Sequence, residues 1–300
     1  MACFHPLQGY RSKYKTVNGK NAIVFSSSQG YIDKPVSVPC GQCVGCRLER
    51  SRQWAIRCSH EADLYENNCF ITLTYSDQNL PDDGSLHVED FQKFMKRLRK
   101  FAGEGVRFYH CGEYGERFGR PHYHACIFNF DFKDKYFWRN SPSGSKLFRS
   151  ETLEKLWPFG HCEIGTVTFE SAAYVARYIM KKVNGDMADE HYFDPFTGVY
   201  RKPEYTTMSR RPGIGKGWYD KFSSDVFPSD FVVVKGVKMR PPHFYDRQFE
   251  IEYPSDFEKI KLGRKLNAKK YVDNNTPDRL SVREQVQLAK LKRLPRNAVD

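Results

Sequence analysis

The chain has 300 residues, with 48 Lys and Arg against 36 Asp and Glu, a formal charge of +12 and a pI near 9.2. A hydrophobic content of 40% is enough for one main domain with elaborations, while the lack of a long apolar run and of a signal peptide over Met1 to Tyr10 argues against a membrane-spanning or exported protein. The basic excess suits a partner with a phosphate backbone, and nine cysteines without an export signal suit reduced thiols in a cytoplasm.

In chain order, the first feature is the run Cys40, Cys43, Cys46. Thiolates at this spacing can surround one structural zinc, with Cys3 or Cys58 completing the tetrahedron. The spacing also occurs in iron-sulfur sites, and metal-free thiols are an equal alternative. A helix is expected from about Leu48 to Tyr65, where Trp54, Cys58, Ala62 and Tyr65 recur at helical spacing, and a strand at Phe70 to Tyr75. Val88 to Phe101 is an amphipathic helix, with Val88, Phe91, Phe94, Leu98 and Phe101 inward and Lys93, Lys96, Arg97 and Lys100 largely outward.

Val106 to Cys111 and the segment after Pro121 read as two strands of a hairpin around the Gly115 to Gly119 turn. Residues two apart on a strand share a face, so His122 and His124 point the same way. The hairpin then sets Glu113 opposite His122, a three-ligand set for a divalent ion such as Mg or Mn, with Glu116 and Glu163 as alternative carboxylates. A short helix near Glu151 to Trp157 and a strand near His161 to Val167 come next.

The tyrosine segment follows, and its helical phase can be calculated at about 100° per residue. With Tyr174 at zero, Tyr178 falls near about 40° and Lys181 near about 340°, whereas Ala172, Val175, Ala176, Ile179 and Val183 fall between about 100° and 200°. Both phenols therefore sit opposite the apolar stripe, separated by a rise of about 6 Å. A tyrosine hydroxyl with a pKa of about 10 needs charge neutralised on a phosphodiester, or a nearby cation such as Lys181, before it can attack. Metal ligands and two phenols in one basic chain point to breaking and rejoining DNA strands.

Beyond residue 185 the signal weakens. Arg210, Arg211 and the glycine-rich loop to Trp218 could bring backbone amides and Lys216 to DNA phosphates, although an ordinary surface turn reads equally well. It is not a nucleotide-binding loop, because Gly217 stands where Ser or Thr should bind magnesium. Lys259 to Lys270 is basic, and Ser281 with Glu284 resembles a capping box opening a helix toward Leu294, whose Lys290, Lys292 and Arg293 read as a solvated basic face. The 18 Tyr and 23 Phe suit base stacking on single strands as well as a core.

Three stretches together resemble the rolling-circle replication initiators of small single-stranded DNA phages, most closely the gokushovirus type of microvirus, within the HUH endonuclease superfamily. They are Phe70 to Tyr75 (FITLTY), Gly119 to Phe128 (GRPHYHACIF) and Tyr174 to Lys182 (YVARYIMKK). The resemblance implies an α+β fold, an antiparallel sheet with flanking helices in the ferredoxin-like arrangement, over residues 69–185. An N-terminal cysteine-containing segment and helix (1–68) and a basic C-terminal extension (186–300) elaborate it. It further implies that His122, His124 and Glu113 bind the metal, that Tyr174 and Tyr178 are alternating nucleophiles, and that Lys181 is the lysine that follows them; Lys182, a little further round the helix, reads from its position as a DNA contact. The implied activity is nicking of an origin strand through a 5′-phosphotyrosine intermediate and later religation without ATP. Single-stranded and supercoiled origin DNA, a host helicase and a host polymerase are the implied partners, in the bacterial cytoplasm. A relaxase or transposase of the same superfamily, or a non-catalytic single-stranded nucleic-acid-binding protein, are the rival readings.

Overall fold

A computed structural model describes residues 3–16, 19, 21–115, 118–177, 187–195 and 198–293. In chain order these form β1 (Leu7–Lys15), β2 (Asn21–Val24), β3 (Gly30–Val38), α1 (Val44–Ala62), β4 (Asn68–Thr74), α2 (Val88–Ala102), β5 (Arg107–Tyr114), β6 (Pro121–Phe128), β7 (Tyr136–Asn140), β8 (Lys146–Arg149), α3 (Glu151–Leu156) and β9 (Cys162–Gly165). There follow α4 (Phe169–Arg177), α5 (Met187–Tyr192), β10 (Phe193–Asp194), β11 (Val199–Tyr200), β12 (Tyr205–Met208), α6 (Lys216–Val226), β13 (Val232–Val234), β14 (Val237–Met239), α7 (His243–Glu252), α8 (Pro254–Lys269) and α9 (Pro277–Arg293). The chain divides into a larger unit built on Ser51–Arg264 and a smaller one from Met1–Arg50 with Lys265–Leu294.

Among the described residues, the main sheet of the larger unit has seven antiparallel strands in the order β12-β5-β6-β4-β9-β8-β7. Its centre runs β4-α2-β5-β6-α3-β9 along the chain and β9-β4-β6-β5 across the sheet, which is the ferredoxin-like arrangement. Strand alternation sorts the side chains. Ile71 and Leu73 of β4 and Tyr123, Ala125 and Ile127 of β6 pack with Phe91, Phe94, Met95 and Leu98 of α2, with Leu153 of α3 and with Trp157. The alternate residues Phe70, Tyr109, Cys111, Cys126 and Phe128 pack with Ala55 and Cys58 of α1 and Ala172, Val175 and Ala176 of α4. Helices on both faces explain why β4 and β6 are nearly continuous apolar runs.

Some local expectations need correction. Phe101 is exposed and Met95 takes an inward place, because at about 100° per residue Met95 falls within the stripe of Phe91, Phe94 and Leu98 while Phe101 falls at its edge. Arg97 is not a plain surface residue, since its Nε donates to the Leu156 carbonyl at 2.8 Å and ties α2 to α3. In the smaller unit, α9 begins at Pro277 rather than Ser281. Thr276 caps it, its carbonyl accepting from Leu280 N–H at 2.9 Å, and proline at the first helical position has its φ preset. Glu284 is instead paired with His5, 2.6 Å away.

The stretch after residue 210 has apolar packing of its own. Ile56 of α1 joins Tyr219 and Val226 of α6, Val232 and Val234 of β13, Tyr245 and Phe249 of α7, and Phe257 and Ile260 of α8. Beside this cluster, buried His60 stacks on Trp218 with ring centroids 3.6 Å apart, and its Nδ1 lies 3.0 Å from Tyr245 Oη. Burial pulls the His60 pKa down to about 4. The unfolded chain takes up that proton near pH 6.5, so the contribution is complete above about pH 6.5 and is lost as pH falls toward about 4, costing about 3 kcal/mol over that window. Chemical denaturation across this range is expected to show a shallower pH dependence for His60→Gln than for wild type. Superimposable slopes would contradict it.

Candidate active site

The β5–β6 hairpin sets the register from which the site is built. Glu113 pairs with His122 and Cys111 with His124, while β4 places Thr72 opposite His124 from the other side. Alternation then puts Glu113, His122, His124 and Thr72 on the face covered by α1 and α4. The hairpin closes through Gly115 N–H to the Arg120 carbonyl and Gly119 N–H to the Gly115 carbonyl, each 3.0 Å, and Gly119 takes a φ of +59° that favours glycine.

Both imidazoles aim at one carboxylate oxygen. Glu113 Oε1 is 2.8 Å from His122 Nε2 and 2.9 Å from His124 Nε2. The opposite ring nitrogens are also held: His122 Nδ1 lies 3.1 Å from the Arg120 carbonyl oxygen, and His124 Nδ1 lies 3.0 Å from Thr72 Oγ1. A carbonyl oxygen only accepts, so His122 Nδ1 carries the proton of the neutral ring and Nε2 turns its lone pair toward Glu113. Two lone pairs facing each other at hydrogen-bond distance need a cation, either an added proton or a metal ion. Ligands at adjacent corners of an octahedron with bonds of about 2.1 Å lie about 3.0 Å apart, close to these spacings. The donor set therefore fits a divalent ion, with the second nitrogen of each ring anchored as metal-bound imidazoles are.

Burial confines the group on one side and opens it on the other. His124 and Glu113 are 0% and 1% exposed, whereas His122 is 13% exposed and marks the solvent side. Burial by itself would raise the Glu113 carboxyl, but the two histidines that face it outweigh burial and hold the carboxyl below the usual carboxylate range.

α4 brings Tyr174 to this group. Its N-terminus is locked by Thr168 N–H to Ser171 Oγ at 2.8 Å and Ser171 N–H to Thr168 Oγ1 at 3.1 Å, a reciprocal cap. Ser51 Oγ of α1 donates to the Ala173 carbonyl at 2.9 Å, holding the helix where Tyr174 emerges. The Tyr174 ring meets His124 edge-on at 5.2 Å between centroids and Phe70 at 6.5 Å. Helical phase alone puts Tyr174 opposite the buried stripe; it is in fact half-buried at the stripe's edge, because α4 lies over the histidine end of the sheet. Tyr178, Lys181, Lys182 and Glu116 lie outside the described residues.

The other candidates are placed as follows. Glu163 Oε1 accepts from Arg139 at 2.7 and 3.2 Å and is not part of the histidine group. Arg210 and Arg211 are exposed, and Lys216 begins α6 in an ion pair with Asp220. The glycine-rich loop turns its backbone inward: Gly215 N–H donates to Glu61 Oε2 at 2.6 Å, the Pro212 carbonyl accepts from Arg107 at 2.8 Å, and the Ile214 carbonyl accepts from Arg57 at 3.0 Å. These backbone groups are committed within the protein rather than held out for phosphates. Cys3, Cys40, Cys43 and Cys46 come together, whereas Cys58 is buried in the helix–sheet core. Thr72 is a site residue that motif reading passes over. Its one visible signal is its place in FITLTY, two residues from Phe70 and so on the same face.

Among the described residues no helix is long and apolar enough to cross a membrane. The model of a family of replication-associated proteins, described by the name ORF2 among others, matches residues 68–183. The chain is 31% identical to Replication-associated protein VP4 of Bdellovibrio phage phiMH2K over 91% of its own length and 85% of that protein's. It is 32% identical to Replication-associated protein ORF2 of Spiroplasma virus 4 over 90% and 88%, and 27% identical to Replication-associated protein ORF4 of Chlamydia phage 1 over 72% and 57%. No solved structure matches.

Proposed function

The chain belongs to the replication-associated proteins of the microviruses, and on that premise we propose that it initiates and terminates rolling-circle replication of a phage genome as a metal-dependent, tyrosine-nucleophile DNA endonuclease and strand transferase. The observation that carries this reading is the convergence of His122 and His124 on Glu113 with the Tyr174 ring edge-on against His124.

In this reading Glu113, His122 and His124 would hold a magnesium or manganese ion. Such an ion, when bound, neutralises phosphate charge and favours in-line displacement. Thr72 and the Arg120 carbonyl keep the imidazoles aimed, so the site needs little rearrangement to receive substrate. One of the two phenols, Tyr174 or Tyr178, loses its proton to solvent and its oxygen attacks phosphorus. The new bond joins tyrosine oxygen to the 5′ phosphate, the bond to the 3′ oxygen breaks, and that oxygen takes a proton to become a hydroxyl. A host polymerase extends this end while a host helicase opens the duplex. The other phenol cuts the regenerated origin, and the free 3′ hydroxyl then attacks the first phosphotyrosine, closing a circle and restoring the phenol. Lys181 and Lys182, with exposed Arg210 and Arg211, supply positive charge to the DNA backbone in the bacterial cytoplasm, whereas the Lys216 charge is met by Asp220.

The test is covalent capture. Purified protein is incubated with single strands tiled across the phage genome, with Mn²⁺ or with chelator, and resolved on a denaturing gel. A metal-dependent adduct is expected on one strand, with the DNA 5′ end mapped by peptide mass spectrometry to Tyr174 or Tyr178. Binding on native gels with no adduct on any strand would instead favour a non-catalytic single-strand binder.

A further inference from the structure

The smaller unit contains a second group of metal-binding side chains that strand cleavage does not use. Cys3, Cys40, Cys43 and Cys46 place their sulfurs within 4.8 Å of one another. Cys3 Sγ lies 3.7 Å from Cys40 Sγ and 3.9 Å from Cys43 Sγ, well beyond the ~2.05 Å of a disulfide. Four sulfurs around one ion at about 2.3 Å sit about 3.8 Å apart at the corners of a tetrahedron. The spacing is thus that of a single-ion tetrathiolate. In a four-iron cluster each cysteine binds a different iron, which spreads the sulfurs wider than this.

The backbone is arranged to support thiolates. Cys40 N–H donates to Cys3 Sγ at 3.2 Å, Cys43 N–H to Cys40 Sγ at 3.3 Å, and Phe4 N–H to Cys43 Sγ at 3.3 Å. Gly41 supplies the left-handed φ of +77° that turns the chain between Cys40 and Cys43. Cys43 immediately precedes α1 and Cys46 lies in its first turn, where the positive end of the helix favours anionic sulfur.

The surrounding unit has little else to hold it. Among its described residues, the buried apolar side chains are Cys3 and Leu280, while Tyr14 and Ile32 of the β2-β1-β3 sheet are 76% and 70% exposed. A module that buries so little apolar surface needs a staple, and a metal is one that small modules use.

We propose that Cys3, Cys40, Cys43 and Cys46 bind one structural zinc ion, which ties the N-terminal segment to the start of α1 and keeps the three-stranded sheet folded. Four protein thiolates fill the tetrahedron and leave no position for water or substrate, so the role is structural rather than catalytic. Binding releases the thiol protons to solvent. The site is distinct in donors from the Glu113, His122 and His124 group and does not depend on the strand-cleavage reading.

The experiment measures metal content of the full-length protein purified without added metal. About one zinc per chain is expected, retained in the His122→Ala/His124→Ala variant and lost from Cys40→Ser/Cys43→Ser. Because the cysteine variant could simply misfold, the wild-type protein is also stripped with chelator and titrated with Co²⁺. The expected spectrum is the intense ligand-field absorption of tetrahedral cobalt with sulfur-to-metal charge transfer, displaced by zinc. Stripped protein should also be cleaved by protease within residues 1–50 sooner than loaded protein. Zinc-free protein whose cobalt spectrum lacks thiolate bands, iron in place of zinc, or zinc that leaves with the histidines would each overturn the assignment.

Discussion

Tyr174→Phe combined with Tyr178→Phe should abolish the covalent DNA adduct, a loss of roughly 10⁴-fold or more in strand cleavage, since removing a nucleophile outright costs losses of that order. Each single substitution should leave partial activity, because the remaining phenol can still serve one of the two cuts. Phenylalanine keeps the ring that meets His124 and Phe70 and deletes only the hydroxyl, so the packing of α4 at Tyr174 should survive. Unchanged melting temperature and unchanged strand binding on native gels would confine the defect to chemistry. An adduct persisting in the double variant would remove both residues from the role of nucleophile.

The second large effect concerns Glu113. Alanine there deletes the oxygen on which His122 Nε2 and His124 Nε2 converge, leaving two neutral donors on the sheet. Cleavage at limiting Mn²⁺ should fall by about 10²- to 10³-fold, with partial recovery as Mn²⁺ is raised, because the loss is mainly one of metal affinity. Thr72→Val, which only releases His124 Nδ1, should shift the metal requirement by about 10-fold or a little more. A Glu113→Ala protein that cleaves at the wild-type metal concentration would show that this carboxylate is not a ligand.

Local pattern carries far in this chain because strand alternation and helical phase are short-range. His122 and His124 sharing a face, Glu113 facing them across a two-strand hairpin, and the inward set Phe91, Phe94 and Leu98 all depend on residues close in sequence. The run of strand, helix, hairpin, helix and strand (β4, α2, β5–β6, α3, β9) is legible for the same reason, whereas the β7–β8 hairpin between β6 and α3 is not, and the ferredoxin-like order is what the resemblance implies. The short hairpin β13–β14 is nevertheless hidden from such a reading, its turn resting on positive φ at Lys235 and Gly236 in a sequence with little turn signal.

Contacts between distant segments follow a different rule, since no periodicity encodes which surfaces will meet. Tyr174 is half-buried because a helix formed well after the hairpin in the chain settles on the histidine end of the sheet, and helical phase cannot report what lies beneath. The glycine-rich loop looks poised for phosphates until buried Glu61 and half-buried Arg107, far away in sequence, are seen to claim its amide and carbonyl groups. Cys3 rather than Cys58 joins the cysteine run for the same reason. The antiparallel pairing of β3 with β1 returns residue 40 to residue 3, while α1 carries Cys58 into the core. Residue types and spacing thus settled which chemistry is available, and long-range packing decided which of those groups stand together, because only packing chooses partners across a chain of this length.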